Sequence, residues 1–215
     1  MVEIIPAINV TSWDEVKNKV SLVEPYVQWV HIDVADGTFT ENVLWHTPAD
    51  LANLDTPLLL EIHLMINTID TRIQEWLLPK VERVIFHAEV SHDPQASITL
   101  CHNAGKQAGV AIKPDTRVDE ILPYAGKADM LQVLGVVPGK SGQVLQENAL
   151  SSISTIRQHC PSCVLEIDGG MNLQTVPMAV NVGANVIVAA SAIFESENIE
   201  EAIKKLKEAG NAQTA

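Results

Sequence analysis

The chain has 215 residues, of which 47% are apolar, and its formal net charge at pH 7 is −13. This apolar content is enough for one sizeable core, while the negative charge disfavours binding to nucleic acid and to anionic membranes. No apolar run reaches the roughly 20 residues that span a bilayer, and the first residues lack the basic and apolar segments of a signal peptide. We therefore expect a cytoplasmic protein.

Short apolar runs alternate with amphipathic segments along the whole chain. The runs are rich in Val, Ile and Leu and apolar almost throughout, which is typical of strands buried on both faces. We predict eight strands, at Glu3–Asn9, Val27–Val34, Leu58–Leu64, Arg83–His87, Gly109–Lys113, Met130–Val137, Cys163–Asp168 and Asn185–Ala190.

The amphipathic segments predict a helix after each strand. Ser12 and Glu15 form a capping box at the start of the first helix, and Pro48 suits the start of the second. The second and later helices are predicted at Thr47–Leu54, Thr68–Leu78, Asp93–Ala108, Val118–Ala125, Asn148–His159, Asn172–Val182 and Asn198–Ala209.

This alternation predicts an α/β fold, a single (β/α)8 (TIM) barrel that spans residues 1–215. A doubly wound open sheet is the alternative fold. We expect residues 211–215, after Gly210, to form a frayed tail.

Two of the three cysteines, Cys160 and Cys163, have the C-x-x-C spacing of redox and zinc sites. No second pair accompanies them, and the segment directly precedes a predicted strand. We therefore interpret them as reduced thiols in a connecting segment.

Chemically active side chains cluster at the ends of three predicted strands, where TIM barrels place their active sites. His31 and Asp33 end the second strand and, being two residues apart, point to the same face. His63 ends the third strand and Asp168 the seventh. Two imidazoles and two carboxylates predict a site for one divalent metal, and they suit Zn, Fe, Mn or Co better than Mg or Ca.

Short loops follow the last three predicted strands, and those after the sixth and seventh contain glycines. In barrels, such loops often hold a phosphate group through backbone N–H groups. We predict phosphate or substrate contacts at Gly139, Lys140, Ser141, Gly142, Gly169, Gly170, Ala190 and Ser191. Plain turns, and for Lys140 a solvated loop lysine, are the alternatives.

Seven segments of the chain resemble motifs of the ribulose-phosphate 3-epimerase family, in the same order. The matching segments are His31–Asn42 (H-x-D-x-M-D-G-x-F-x-x-N), Glu61–Met65 (D-x-H-L-M), Phe86–Glu89 (F-H-x-E), Ala111–Thr116 (with K-P-x-T), Pro138–Gln143 (P-G-F-G-G-Q), Ile167–Gly170 and Ser191–Phe194. The resemblance covers nearly the whole chain.

The resemblance implies a metal-dependent epimerase that interconverts D-ribulose 5-phosphate and D-xylulose 5-phosphate. In that family the metal acts as a Lewis acid for a cis-enediolate, and two carboxylates exchange the C3 proton on opposite faces of the sugar. By position the carboxylates are Asp33 and Asp168, and His31 and His63 complete the metal shell. His63 and Met65 also belong to the substrate site, and a homo-oligomer is expected.

The chain departs from the family pattern mainly around the substrate. The substituted positions are Ala7 (for Ser), Ala35 and Leu134 (for Met), Val137 (for a polar residue), Lys140 and Ser141 (for Phe-Gly) and Ala190 (for Gly). We expect a pocket enlarged at Ala35, which leaves a six-carbon ketose phosphate open as substrate. A non-catalytic phosphosugar binder also remains open.

One further enzyme class is disfavoured by the third predicted strand. Decarboxylases and aldolases of the phosphate-binding barrels share a D-x-K-x-x-D motif there. The corresponding segment of this chain, Glu61–Ile66, contains no lysine.

Overall fold

Eight parallel strands form a closed barrel in a computed structural model that describes residues 2–139 and 142–212. The strands pair in chain order, and β1 closes the ring by pairing with both β2 and β8. They are β1 (Glu3–Ile8), β2 (Trp29–Ala35), β3 (Leu59–Met65), β4 (Val81–His87), β5 (Gln107–Ile112), β6 (Met130–Leu134), β7 (Leu165–Asp168) and β8 (Val186–Ala189). The predicted barrel is confirmed, and the open doubly wound sheet is excluded.

Helices pack on the outside of the barrel, after β1, β3, β4, β6, β7 and β8. They are α1 (Trp13–Val23), α2 (Ile69–Arg72), α3 (Pro94–Asn103), α4 (Glu147–His159), α5 (Thr175–Asn181), α6 (Ser191–Phe194) and α7 (Ile199–Asn211). The predicted capping box of Ser12 and Glu15 begins α1. Within the described residues, none of the helices is long and apolar enough to cross a membrane.

Several helix predictions were wrong in type or length. The segment predicted at Thr47–Leu54 is a 3₁₀ helix, Pro48–Asn53, and Val118–Ala125 contains two 3₁₀ turns, at Val118–Glu120 and Leu122–Tyr124. Pro123 has no N–H to donate, so an α-helix cannot run through the latter segment unbroken.

Several element ends also differ from the prediction, most clearly those of α3 and the sixth strand. Helix α3 ends at Asn103 because Gly105 takes a left-handed φ of 70° and Lys106 N–H closes onto the carbonyl of Cys101. The sixth strand ends at Leu134, before the loop that begins with Gly135.

Alternating strand residues divide the interior into two parts. Outward-facing side chains such as Ile32, Ile62 and Leu64 join the helices in one large apolar core. Inward-facing side chains fill the barrel, and those of β2 and β3 include His31, Glu61 and His63, all fully buried. The barrel interior therefore carries buried polar groups, which need partners inside the protein.

A disulfide joins Cys160 and Cys163, so the prediction of reduced thiols was wrong. The chain turns directly after α4, which brings the two Cα atoms to 5.5 Å, a spacing that a disulfide can bridge. Arg157 donates hydrogen bonds to the carbonyls of Cys160, Pro161 and Cys163 and holds this turn in shape.

The predicted frayed tail does not begin at residue 211. Asn211 still belongs to α7, and its Oδ1 accepts a hydrogen bond from the backbone N–H of Val2 at 3.0 Å. The last residues of that predicted tail, 213–215, lie outside the described part of the chain.

Two neighbouring leucines of β3, which point to opposite faces of the strand, allow a test of its register. Leu60 is fully buried in the outer core, whereas Leu59 is 38% exposed. Leu60→Ala should lower the free energy of unfolding by about 2–5 kcal/mol, because it leaves a cavity. Urea denaturation measures this, and Leu59→Ala, the matched control, should change the same quantity much less. Equal losses for the two variants would contradict the assigned register.

Candidate functional site

Four predicted site residues meet at the carboxyl-terminal mouth of the barrel. One ligand atom each from His31, Asp33, His63 and Asp168 lies within 4.8 Å of the others. Asp33 Oδ1 is 3.0 Å from His63 Nδ1 and 3.3 Å from His31 Nε2. Asp168 Oδ2 is 3.6 Å from His63 Nδ1 and 3.9 Å from His31 Nε2.

The strand arrangement explains this convergence. Asp33 and His63 are register partners on adjacent strands, β2 and β3. Asp168 ends β7, which is separated from β2 by β8 and β1 around the ring. Only closure of the barrel brings it to the other three side chains.

The donor set fits a divalent cation. Both imidazoles are fully buried and the two carboxylates nearly so, and the ligand atoms converge on one point. Two nitrogens and two carboxylate oxygens suit zinc and the later first-row metals, as the sequence predicted.

Burial and mutual charge separate the acidities of the two carboxylates. Burial acts to raise the pKa of Asp33, but hydrogen bonds with His31 and His63 outweigh it and hold that pKa far below its ordinary value. Burial and the nearby charge of Asp33 raise the pKa of Asp168 to about 7. One carboxylate is thus held ionised, while the other is poised to gain or lose a proton near neutral pH.

The two imidazoles also differ. Burial acts to lower the pKa of His31, but hydrogen bonds with Asp33 and Glu61 and the charge of Asp168 raise it well above the ordinary value. Burial lowers the pKa of His63. A cation bound here would replace the proton that His31 shares with the surrounding carboxylates.

The F-H-x-E segment, which had no assigned role from the sequence, lies behind His63. His63 Nε2 is 2.9 Å from His87 Nε2, and His87 Nδ1 is 3.2 Å from Glu89 Oε2. If Glu89 accepts the Nδ1 proton of His87 and His87 Nε2 accepts the Nε2 proton of His63, the Nδ1 lone pair of His63 would be available to a bound metal in place of its hydrogen bond with Asp33. Glu89 in turn accepts hydrogen bonds from Lys113 N and Thr116 Oγ1, in the K-P-x-T segment.

A cavity opens above the four-residue cluster. Its lining combines the two carboxylates with apolar side chains and backbone from the loops after β6, β7 and β8. The predicted residues that line it are Asp33, Met65, Gly139, Gly142, Asp168, Gly169, Gly170, Ala190 and Ser191. His31 and His63 lie beneath it, and Lys140 and Ser141 fall outside the described residues.

The expected enlargement at Ala35 is wrong. Ala35 is fully buried and packs against Leu44, Met65 and Phe39. The loop after β2 folds back, and Leu44 N–H donates to the carbonyl of Ala35 at 2.8 Å. Leu44 therefore covers Ala35, which does not open into the cavity. Val137, another departure, is 55% exposed and does not line this cavity.

Asn9 belongs to the site but was missed by the sequence reasoning. Its Nδ2 donates to Asp33 Oδ2 at 3.1 Å, and it lines the cavity beside Ala7. The available signal was alternation, because a polar residue two positions after Ala7 lies on the same strand face. Asn9 places a hydrogen-bond donor near the position where the family's serine is absent.

Gly170 allows the loop after β7 to approach the loop after β6. Its φ is +73°, and a Cβ at this position would lie 2.7 Å from the backbone nitrogen of Leu145. Gly142 has a similar φ, +76°, but a Cβ there would meet nothing within 4 Å.

This pair of glycines gives a matched test of the close approach. Each change to Ala should cost about 1–2 kcal/mol of unfolding free energy from the left-handed backbone. Gly170→Ala should cost more than Gly142→Ala, because it also clashes with backbone. Urea titration of both variants measures the difference, and equal losses would show that the loops do not pack this closely.

The burial of His87 predicts a pH dependence of stability. Burial lowers the pKa of His87 to about 4 from an ordinary value of 6.5. The unfolded state therefore binds the proton more tightly, so the stability that neutral His87 contributes is full above pH 6.5 and falls as the pH drops towards 4. At about 1.4 kcal/mol per pKa unit, the loss is about 3 kcal/mol.

His87→Gln should make the slope of unfolding free energy against pH less positive over that interval, measured with metal removed by a chelator. The control is His159→Gln, which changes an exposed histidine at the end of α4. An unchanged slope in His87→Gln would refute the assignment.

Comparison with known proteins agrees with the motifs. The model of the ribulose-phosphate 3 epimerase family matches residues 3–194. A ribulose-phosphate 3-epimerase of Schizosaccharomyces pombe is 33% identical over 189 residues, covering 83% of this chain and 80% of that protein. The one from Mycobacterium leprae is 30% identical over 220 residues, covering 97% and 95%.

Solved structures show the same fold at low sequence identity. 3-Hexulose-6-phosphate synthase from Salmonella typhimurium has a TM-score of 0.73 at 15% identity, covering 98% of this chain and 99% of that one. KGPDC from Streptococcus mutans has a TM-score of 0.74 at 10% identity, covering 100% and 99%. These likenesses concern the barrel alone, whereas the sequence match is specific: the chain belongs to the ribulose-phosphate 3-epimerase family, a family of isomerases.

Proposed function

We propose that the protein is a metal-dependent epimerase that inverts C3 of a ketose phosphate, with D-ribulose 5-phosphate and D-xylulose 5-phosphate as its substrate pair. The observation that carries this is the pair of carboxylates, Asp33 and Asp168, at the base of one cavity beside two buried imidazoles. Membership of the family and the names of the relatives supply the substrate class.

His31, Asp33, His63 and Asp168 would hold the metal. When bound, a divalent metal supplies Lewis-acid stabilisation of negative charge on the substrate oxygens next to C3. The neighbouring apolar wall, which includes Met65, Leu134 and Val188, excludes water and strengthens electrostatic interactions in the site.

Without a metal, hydrogen bonds with both imidazoles hold the pKa of Asp33 far below its ordinary value, whereas burial and the charge of Asp33 raise the pKa of Asp168 to about 7. A bound metal would change both pKa values, so the assignment of roles rests on position. Asp33 and Asp168 would exchange the C3 proton on opposite faces of the sugar. The roles exchange in the reverse direction. Because Asp33 lies near the end of β2 and Asp168 ends β7, the two carboxylates reach the cavity from different strands of the barrel.

The substrate phosphate would lie against the loops after β7 and β8. Gly169 and Gly170 keep the first loop free of side chains, and Ser191 begins α6 in the second. Backbone N–H groups of such loops suit a phosphate. This leaves the sugar between the phosphate site and Asp33.

The structure weakens the arguments for the two alternative functions that the sequence left open. A six-carbon substrate was motivated by space at Ala35, and Leu44 fills that space. A non-catalytic binder was motivated by the departures at Ala7, Val137 and Ala190, and it becomes an outcome of the activity test. The cytoplasmic location and the homo-oligomer stay predictions.

Proton exchange at C3 is the direct test of activity. The metal-loaded protein, incubated with D-ribulose 5-phosphate in deuterated water, should incorporate deuterium at C3, which NMR detects. Asp168→Asn should lower the exchange rate about 10²–10⁴-fold, because the neutral amide cannot transfer the proton. The control is Asp129→Asn, before β6 at the opposite end of the barrel, where the carboxylate accepts hydrogen bonds from His102 and Ala108.

Elemental analysis distinguishes a protein that binds metal but does not catalyse exchange from one that does not bind metal. The native protein should contain about one divalent metal per chain, and a double variant, His31→Ala with Asp168→Asn, should lose it. Bound metal and bound ligand without exchange would favour the non-catalytic reading. A native protein that binds no metal after reconstitution would overturn the proposed site.

A further inference from the structure

A second polar layer lies inside the barrel directly beneath the four-residue cluster. It consists of Glu61, Arg83, Gln132 and Glu166, all buried. It lies one step down the strands, because Glu61 precedes His63 and Glu166 precedes Asp168 by two residues, and Gln132 is the register partner of Glu166. Charged groups this deep in a barrel are costly unless they are paired, so their arrangement has a structural or functional reason.

Glu61 is the centre of this layer. Its Oε1 is 2.6 Å from His31 Nδ1, and its Oε2 accepts a hydrogen bond from Arg83. Arg83 is fixed in turn, because its Nε donates to Gln107 Oε1 at 2.9 Å and its guanidinium lies 4.3 Å from the ring centroid of Trp29. Both carboxylate oxygens of Glu61 thus accept hydrogen bonds from donors whose positions are fixed.

We propose that Glu61 is a positioning residue for the metal site, acting through His31. By accepting the Nδ1 proton, Glu61 selects the tautomer of His31 whose Nε2 lone pair faces Asp33 and Asp168. Arg83 holds the carboxylate in place. A carboxylate behind an imidazole ligand fixes its ring and raises its basicity, and removal of such a partner typically weakens metal binding 10–100-fold. This inference rests on the proposed metal site.

Glu166 provides a matched comparison within the same layer. It is as buried as Glu61, but its Oε1 lies 3.9 Å from His31 Nδ1, beyond hydrogen-bond distance. Oε1 instead accepts a hydrogen bond from Gln132 Nε2 at 2.8 Å, and Oε2 has no hydrogen-bond partner among the described residues. The geometry therefore assigns His31 to Glu61 and not to Glu166.

Metal affinity distinguishes the two glutamates. Zinc binding, measured by competition with a chromophoric chelator, should be about 10–100-fold weaker in Glu61→Gln than in the native protein. Glu166→Gln should stay within about threefold of native, and Glu61→Asp, which restores the charge and the residue of the family's motif, should recover most of the affinity. Glu61→Gln alone leaves the buried guanidinium of Arg83 without a carboxylate partner, which by itself destabilises the fold. A double variant, Glu61→Gln with Arg83→Gln, removes that unpaired charge and should show the same loss of zinc affinity.

A spectroscopic readout tests the tautomer itself. In the zinc-loaded native protein the Nδ1 proton of His31, hydrogen-bonded to Glu61, should appear far downfield in the proton NMR spectrum. It should persist in Glu166→Gln and shift upfield or disappear in Glu61→Gln, an effect that general loosening of the core does not produce.

The outcomes separate this inference from the proposed function. Native-like zinc affinity and an unchanged Nδ1 proton in Glu61→Gln would overturn the role of Glu61 and leave the metal site standing. Equal losses in Glu61→Gln and Glu166→Gln would also overturn it, because they would indicate only a generic need for the buried layer. A native protein that binds neither zinc nor another divalent metal after reconstitution would overturn both proposals.

Discussion

Closure of the parallel sheet is the constraint on which the rest of this structure depends. The pairing of β1 with β8 turns the carboxyl ends of all eight strands towards one axis. Side chains that are more than a hundred residues apart, such as Asp33 and Asp168, thereby share one small and largely buried volume. In that volume each charge is felt strongly by the others, so their protonation and orientation are collective properties.

The same closure gives the interior a vertical order. The cavity and its glycine loops lie at the top, the ligand cluster lies below them, and the layer of Glu61 and Arg83 lies deeper still. Each level supplies the hydrogen-bond partners that the level above needs, since buried polar groups are stable only when they are paired. His87 and Glu89 serve His63 in the same way from the side. A strained or mobile site is not needed to explain this arrangement.

The sequence predicted the parts of the structure that follow from alternation. Strand positions, the inward faces of His31 and Asp33, and the convergence of four side chains depend only on residue period and on barrel closure. It could not predict that Leu44 covers Ala35, or that Cys160 and Cys163 form a disulfide, because both depend on how a connecting loop turns. It also gave no role to Glu61 or Glu89, whose partners lie on other strands.

The contact between Ala35 and Leu44 has an evolutionary consequence. A small residue on the strand and a larger one on the loop fill a single volume beside Met65, so neither position can change in size alone without a clash or a void. Substitutions that alter the shape of this wall should therefore arrive in pairs, and variation at one site should track variation at the other. The shape of the pocket wall then depends on two coupled positions rather than one.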